Sequence, residues 1–106
     1  DEISGGAFLD EYTSHGDHAT TVDPAAVYRV RLCTAHPIHE HVRVCEFEQL
    51  LQSEPSKPQL RRLGELMYQS HESYSAIGLG SDATDMIVDL VRQEGEAGGL
   101  YGAKIT

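Results

Sequence analysis

The clearest hydrophobic pattern in this chain is a helical period that runs from Leu60 to Tyr74. At 100° per residue, one arc holds the side chains that we expect to face inward: Leu60, Leu63, Met67, Ser70, His71 and Tyr74. Charged and amide side chains fill the opposite arc: Arg61, Arg62, Glu65, Gln69 and Glu72. Ser56 and Gln59 have the spacing of a capping box, which predicts that the helix begins there. Gly78 and Gly80 are expected to end it in left-handed backbone.

Weaker patterns predict one helix before this segment and one after it. Thr34 precedes the first, with Pro37 in its first turn and an apolar stripe of Val44, Phe47 and Leu51. Ser81 or Asp82 caps the second. Its predicted inner arc contains Ala83, Ile87, Leu90 and Val91, whereas Asp85, Asp89 and Arg92 are predicted to point outward.

The remaining segments predict two strands and a short helix. Tyr28, Val30 and Leu32 alternate with arginines, and Leu100–Ile105 reads as a terminal strand, while 4–14 favours a helix that breaks at 15–18. This order predicts a single α+β domain over residues 1–106, with helices packed on one face of a small antiparallel sheet. Two strands make a poor sheet, so we expect further strands beyond Thr106 or in a partner.

Composition excludes some classes of partner. The net charge is −9, from 17 acidic and 8 basic residues, which disfavours binding to nucleic acid or to an anionic membrane. No apolar run approaches the length of a membrane span. Cys33 and Cys45 form no CxxC pattern, so we expect free, partly buried thiols in a reducing compartment, the cytoplasm.

Ser70 and His71 are the first candidates for chemistry, because polar groups on an inward face must find partners. They either fasten the helix to its surroundings or line a ligand site. Adjacent helical residues point 100° apart, so a Ser-His nucleophilic pair is not expected.

The glycine loop and the histidines are weaker candidates. The loop at residues 78–82 has the form of an anion cradle, but Asp82 and Asp85 would repel a phosphate, and a simple pair of helix caps also explains it. Six histidines suggest a metal binder, yet neither the pair at His15 and His18 nor the group at His36, His39 and His41 forces three ligands together. No metal site is expected.

Three segments resemble one known family. Residues 66–75, LMYQSHESYS, resemble the "LM…SH…S" motif in the C-terminal half of galactokinase- and arabinokinase-type sugar kinases, within the GHMP kinase superfamily. His36–Val44 is similar to the "H…E…R" helix upstream of that motif. Residues 99–106 resemble the strand before the last glycine-rich loop of the family, a loop that would follow Thr106.

The resemblance implies part of the C-terminal domain of an ATP-dependent monosaccharide 1-kinase. It implies that one wall of the substrate cleft contains Ser70, His71, Tyr74, Gly78, Gly80, Ser81 and Asp82, and that Lys104 and Thr106 approach the nucleotide side. ATP, Mg²⁺, the monosaccharide and the remaining kinase domain would belong to the full-length parent. The family's ATP loop and catalytic residues lie in its N-terminal half, so no residue here is expected to be catalytic and the chain alone is expected to be inactive. The alternative is a binding or interaction module without catalysis, in which the same helices only pack.

Overall fold

The computed structural model describes residues 1–12, 16 and 20–106. The elements in chain order are β1 (Ile3–Ser4), α1 (Gly5–Glu11), β2 (Val27–Tyr28), α2 (Val30–Leu51), α3 (Lys57–Ala76), α4 (Asp82–Glu94) and a 3-10 turn at Glu96–Gly98. The described residues are thus mostly helical with a two-stranded antiparallel sheet, which is compatible with the predicted α+β class. The chain divides into two compact units, Asp1–Thr34 and Ala35–Thr106.

The first unit holds the small sheet. β1 pairs antiparallel with β2, with Ile3 opposite Tyr28 and Ser4 opposite Val27. The Ser4 hydroxyl accepts a hydrogen bond from the Ala7 amide and so caps α1. The predicted helix is confirmed over Gly5–Glu11, whereas Ser14 and the predicted break at His15, Asp17 and His18 lie outside the described residues.

The predicted strand over residues 28–32 is wrong beyond Tyr28, because α2 begins at Val30. The Cys33 amide already donates to the Arg29 carbonyl at 3.0 Å, so helical bonding starts where the alternation was expected to continue. Five alternating residues were too few to distinguish a strand from the first turns of a helix. Pro37 therefore lies inside α2 rather than in its first turn, and the helix lacks the backbone hydrogen bond that an amide there would donate.

In the second unit, α3 begins at the predicted capping box. The Ser56 side chain accepts from the Gln59 amide, and the Gln59 side chain accepts from the Ser56 amide. Gln59 is also buried, and its Nε2 donates to the carbonyls of Leu50 and Ser53. One side chain therefore starts α3 and closes the turn that follows α2.

The buried face of α3 is rotated from the predicted arc. Leu63, Ser70 and His71 are buried as predicted, and Met67 and Tyr74 are half-buried. Leu60 is exposed instead, whereas Leu66 is 2% exposed. Ideal helical spacing predicted roughly which side of α3 is buried. The elements packed against α3 decide which residue lies at the middle of that buried side.

The predicted inner face of α4 is wrong for three of its four residues, and the fourth, Val91, is half-buried. Ala83, Ile87 and Leu90 are exposed, whereas Val88 is 3% exposed. Polar contacts set this orientation, because Asp85 accepts from α3 and Arg92 reaches Glu72 at 3.0 Å. The exposed apolar side chains form what we call the α4 stripe: Ala83, Met86, Ile87 and Leu90.

Residues 101–106 form the terminal segment, which was predicted to be part of a strand. The predicted strand over Leu100–Ile105 is wrong, because no strand is formed there and the segment pairs with no strand among the described residues. Gly64 of α3 lies directly beneath it: a Cβ at Gly64 would sit 1.8 Å from the Tyr101 carbonyl oxygen. Glycine is required at that position because backbone meets backbone.

Candidate functional site

Three elements of the second unit meet around one carboxylate, in what we call the Glu40 cluster. Glu40 on α2 accepts from the Ser70 hydroxyl of α3 at 2.7 Å and from Lys104 Nζ of the terminal segment at 3.3 Å. Its other oxygen accepts from Arg43 Nε at 3.0 Å, one turn along α2. The cluster thereby fixes the side chains of Ser70 and Lys104, two of the predicted site residues.

The electrostatics of the cluster favour an ionised Glu40. Burial by itself raises the pKa of this carboxyl, but hydrogen bonds from Ser70, Arg43 and Lys104 outweigh burial and hold the pKa below its ordinary value. Lys104 is half-buried and is held by its contact with Glu40 at 3.3 Å. Two cations and one carboxylate leave the cluster with a local positive charge.

A groove of about 390 Å³ adjoins the Glu40 cluster, and all four of the cluster's side chains line it. The rest of its lining is largely apolar: Val44, Phe47, Leu51, Leu66 and Met67, with Glu48 at the edge. The groove can therefore take an apolar group, and its charged lining consists of two cations, Arg43 and Lys104, and two carboxylates, Glu40 and Glu48. Nη2 of Arg43 is buried and has no hydrogen-bond partner among the described residues.

A second cluster joins α3 to α4, and we call it the His71 latch. His71 Nε2 lies 2.8 Å from Asp85 Oδ1, and the Ser75 hydroxyl donates to the same oxygen at 3.1 Å. A hydrogen on Nε2 makes the first contact a hydrogen bond, which leaves Nδ1 buried and without a partner in the described part of the chain. The prediction that Asp85 points outward is wrong, because it is half-buried and holds His71.

The loop at residues 78–82 is built against this latch. Gly78 has a φ of 85°, as predicted for the end of α3. Gly80 does not have positive φ, so that part of the prediction is wrong; it is needed because a Cβ there would lie 2.4 Å from the Ser75 hydroxyl oxygen. Ser81 accepts from the Thr84 amide and caps α4, while Asp82 is exposed in the first turn.

The other predicted site residues lie apart from these two clusters. Tyr74 packs edge-on against His36, with ring centroids 6.0 Å apart, and the His36 ring lies 2.8 Å from the Ser73 hydroxyl. Thr106 is exposed at the end of the terminal segment. Ser70 and His71 thus have separate carboxylate partners, and the structure brings Ser70, rather than His71, together with Lys104.

Sequence reasoning missed Glu40, Arg43 and Asp85 as partners of the predicted residues. The spacing of Glu40 and Arg43, three residues apart on one helix, was the available signal for the first cluster. Asp85 gave none, because its place in the first turn of α4 already explained an acidic residue.

Metal ligands do not converge in the described part of the chain. No group of three or more histidine, cysteine, aspartate or glutamate side chains there is arranged to hold an ion. His15 and His18 lie outside the described residues. Both cysteines are free thiols, and Cys45 Sγ lies 3.6 Å from His41 Nε2. None of the helices in residues 1–12 and 20–106 combines the length and apolar character needed to cross a bilayer.

Comparison with known proteins gives one informative relative. The chain is similar to a plant L-arabinokinase. It is 46% identical to the L-arabinokinase of Arabidopsis thaliana over 112 aligned residues, which cover 100% of this chain. The chain spans only 11% of the length of that relative. No protein-family model matches the chain, and no solved structure matches it.

Proposed function

We propose that this chain is part of an ATP-dependent sugar kinase that phosphorylates the anomeric hydroxyl of L-arabinose or a closely similar monosaccharide. One observation carries the proposal: 46% identity to an L-arabinokinase along the whole chain. The resemblance of residues 36–44 and 66–75 to GHMP sugar kinases agrees with it, although these motifs lie within the same aligned sequence. The proposal extends to the fold, as part of a GHMP-type C-terminal domain, and to the cytoplasm as its location.

The contacts of the motif residues support a role in shaping the substrate cleft rather than in chemistry. Ser70 and His71 are buried within the chain and are each fixed by a carboxylate. They would brace the cleft wall from behind, together with the half-buried Tyr74. Gly78, Ser81 and Asp82 are exposed, so this loop is the part of the wall that would face the sugar, with Gly80 packed behind it.

ATP and Mg²⁺ would be held mainly by the rest of the kinase, which supplies the phosphate-binding loop that residues 1–106 lack. Lys104 and the exposed Thr106 would lie toward the nucleotide. Because Lys104 is paired with Glu40 at 3.3 Å, a phosphate would have to compete with that carboxylate. Lys104 is therefore proposed as a neighbour of the nucleotide side and not as a direct phosphate ligand.

The decisive experiment uses the full polypeptide of which this chain is a part. It is incubated with ATP, Mg²⁺ and L-arabinose, with D-galactose in parallel, and sugar 1-phosphate is detected by ³¹P NMR. We expect L-arabinose 1-phosphate from the full polypeptide and none from residues 1–106 alone. Absence of any sugar phosphate from the full polypeptide would leave the non-catalytic binding module as the better description.

A matched pair of variants tests the cleft wall. Asp82→Asn changes the exposed loop, and we expect it to raise the KM for the sugar several-fold with a smaller change in kcat. Asp89→Asn, on the exposed part of α4, should leave both unchanged. Equal kinetics for the two variants would remove Asp82 from the substrate side.

A further inference from the structure

Two side chains that bind metals lie next to each other on α2. Cys45 Sγ lies 3.6 Å from His41 Nε2. The two residues are four positions apart within Val30–Leu51, so their side chains project from the same face of the helix. Thiolate and imidazole are the ligands that zinc and similar divalent ions prefer in proteins. Although no three ligands converge in the described part of the chain, this pair supplies two.

The separation of the two donor atoms matches the geometry of a shared ion. A bound zinc ion lies about 2.3 Å from a cysteine sulfur and about 2.1 Å from a histidine nitrogen. At the tetrahedral angle, two bonds of these lengths place the sulfur and the nitrogen about 3.6 Å apart. Cys45 Sγ and His41 Nε2 already have this separation. An ion could therefore bind both atoms without changing the distance between them.

The surroundings of the pair also favour a cation. His41 is exposed and Cys45 is half-buried, so an ion can enter from solvent and keep water molecules as further ligands. The net charge of −9 attracts cations to the chain. Arg43 is the one cation between the two positions in sequence. It lies about 200° around the helix from His41, and its Nε donates to Glu40.

We propose that His41 and Cys45 form a two-ligand site for zinc or a similar thiophilic divalent cation, with water in the remaining coordination positions. The Cys45 thiol releases its proton to solvent when the ion binds. Structural zinc sites have four protein ligands, so a site with two is exchangeable and responds to the concentration of free metal. The proposal does not depend on sugar kinase activity, because it rests only on side chains of α2.

Nearby residues of the same types provide controls. Cys33 is the other described cysteine, and its thiol is exposed. No contact like that of Cys45 joins its sulfur to a histidine among residues 1–12, 16 and 20–106. His39 lies on α2 two positions before His41, which places it on a different face of the helix.

Alkylation by iodoacetamide tests the site in the full polypeptide, with and without Zn²⁺. Mass spectrometry of the peptides reports the rates at Cys45 and Cys33 separately. Zn²⁺ should slow the alkylation of Cys45 at least about tenfold, because the metal-bound thiolate is no longer a free nucleophile, and should leave Cys33 unchanged. Equal effects of Zn²⁺ on both cysteines, or no effect on Cys45, overturn the proposal.

A matched pair of histidine variants tests whether the ion is shared. His41→Gln removes one ligand and keeps a polar side chain at an exposed position. It should raise the Zn²⁺ concentration that half-protects Cys45 by at least about tenfold, since the loss of even an outer-shell partner costs that much affinity. His39→Gln should leave this concentration unchanged. Half-protection of His41→Gln at the concentration of the unmodified protein would show that the thiol binds the ion without His41, and would contradict the proposal.

Light scattering with and without Zn²⁺ distinguishes this site from one shared by two copies of the chain. Two such pairs would together supply the four ligands of a tetrahedral site. We expect the molar mass to be the same in both conditions. A dimer that requires Zn²⁺ and is lost in Cys45→Ser would place the ion between two copies and overturn the one-chain site.

Discussion

At the scale of single residues, the close packing of the terminal segment on α3 depends on one glycine. The helical sequence around that glycine gives no sign of this role. Gly64 lies in the middle of α3, where glycine lowers helix stability by about 1 kcal/mol relative to alanine. Glycine is needed at this position despite that cost, because the Tyr101 carbonyl oxygen occupies the space that a Cβ atom would fill. A helix-stabilising substitution therefore becomes an unfavourable one when the tertiary contact is included.

We expect Gly64→Ala to lower the free energy of unfolding by about 1–3 kcal/mol, through overpacking against the backbone of Tyr101 and Gly102. Urea unfolding followed by circular dichroism measures the change. Gly6→Ala is the control, because its Cβ would meet Pro24 at an ordinary distance of 3.5 Å. The interpretation of Gly64 fails if the two substitutions have the same effect.

Glu40 gives a prediction about pH. Its pKa is lowered in the folded chain, so its ionised form stabilises the fold at neutral pH, and this contribution is lost as the pH falls from about 4.5 through the folded-state pKa. Glu40→Gln should lower the free energy of unfolding at pH 7 by about 1–3 kcal/mol. It should also flatten the loss of stability below pH 4.5.

Glu48→Gln is the control for Glu40. Glu48 lines the same groove but makes no ion pair with another described residue. Urea unfolding at a series of pH values from 3 to 7 should give curves for Glu48→Gln that follow the unmodified chain. A Glu40→Gln curve that also follows it would show that the Glu40 cluster adds no net stability.

At the scale of elements, polar contacts to α3 act together with the buried Val88 to fix the orientation of α4. The His71 latch joins the end of α3 to the first turn of α4, and the Arg92 guanidinium lies 4.2 Å from the centroid of the Tyr68 ring. The α4 stripe consequently points away from α3, and the one buried apolar side chain of α4 is Val88. The hydrogen bonds of α4 therefore favour a different buried face from the one that its apolar pattern predicts.

Asp85→Asn tests the His71 latch against a plain helix-dipole effect. Asp82 and Asp85 both lie in the first turn of α4, so both interact favourably with the helix dipole. Only Asp85 also accepts from His71 and Ser75. We expect Asp85→Asn to lower the thermal midpoint clearly, by an amount equivalent to about 1–3 kcal/mol. Asp82→Asn should have less than about 1 kcal/mol of effect. Equal shifts of the thermal midpoint in the two variants would show that Asp85 stabilises the fold only through the helix dipole.

Val88→Ala tests the observed face of α4. Removing two methyl groups from a side chain that is 3% exposed should lower the free energy of unfolding by about 2 kcal/mol. Ile87→Ala removes more carbon from a side chain that is 61% exposed, and should change stability by less than about 0.5 kcal/mol. Urea unfolding of the 106-residue chain decides between this face and the one expected from the sequence.

At the scale of the whole molecule, residues 35–106 have a small apolar core. The buried apolar side chains among the described residues are Leu63, Leu66 and Val88, whereas several large ones, including Ile38, Leu51, Met86 and Ile87, are more than 60% exposed. Burial of so few large side chains gives little free energy against the conformational entropy of folding. Ion pairs such as that between Arg62 and Glu46 add little at exposed positions.

We therefore expect the 106-residue chain to unfold with a free energy below about 5 kcal/mol, the lower end of the range for natural domains. In the longer kinase proposed above, the same residues should unfold at a higher denaturant concentration, since other parts of that polypeptide would cover exposed apolar side chains. Chemical denaturation monitored by exchange of α3 amides in both proteins measures the difference. An unfolding free energy near 10 kcal/mol for the short chain would contradict the small core.

Local sequence determined several features because their physical causes span only a few residues. The capping box at Ser56 and Gln59, the Ser81 cap and the positive φ of Gly78 each depend on contacts within three or four positions. The burial of Ser70 and His71 followed from the period of a single helix. The motif resemblance also belongs here, since it is read from residue types in order.

Tertiary structure alone decided which residues those side chains meet. Ser70 bonds to Glu40, 30 residues earlier, and His71 bonds to Asp85 across a turn whose geometry no local pattern specifies. The face of α4 and the need for Gly64 likewise depend on atoms that are distant in sequence. The sequence by itself determined that the helices exist, the caps of α3 and α4, and a motif that resembles those of sugar kinases. Only the tertiary structure decided the partners, because packing and hydrogen bonding depend on distances in space.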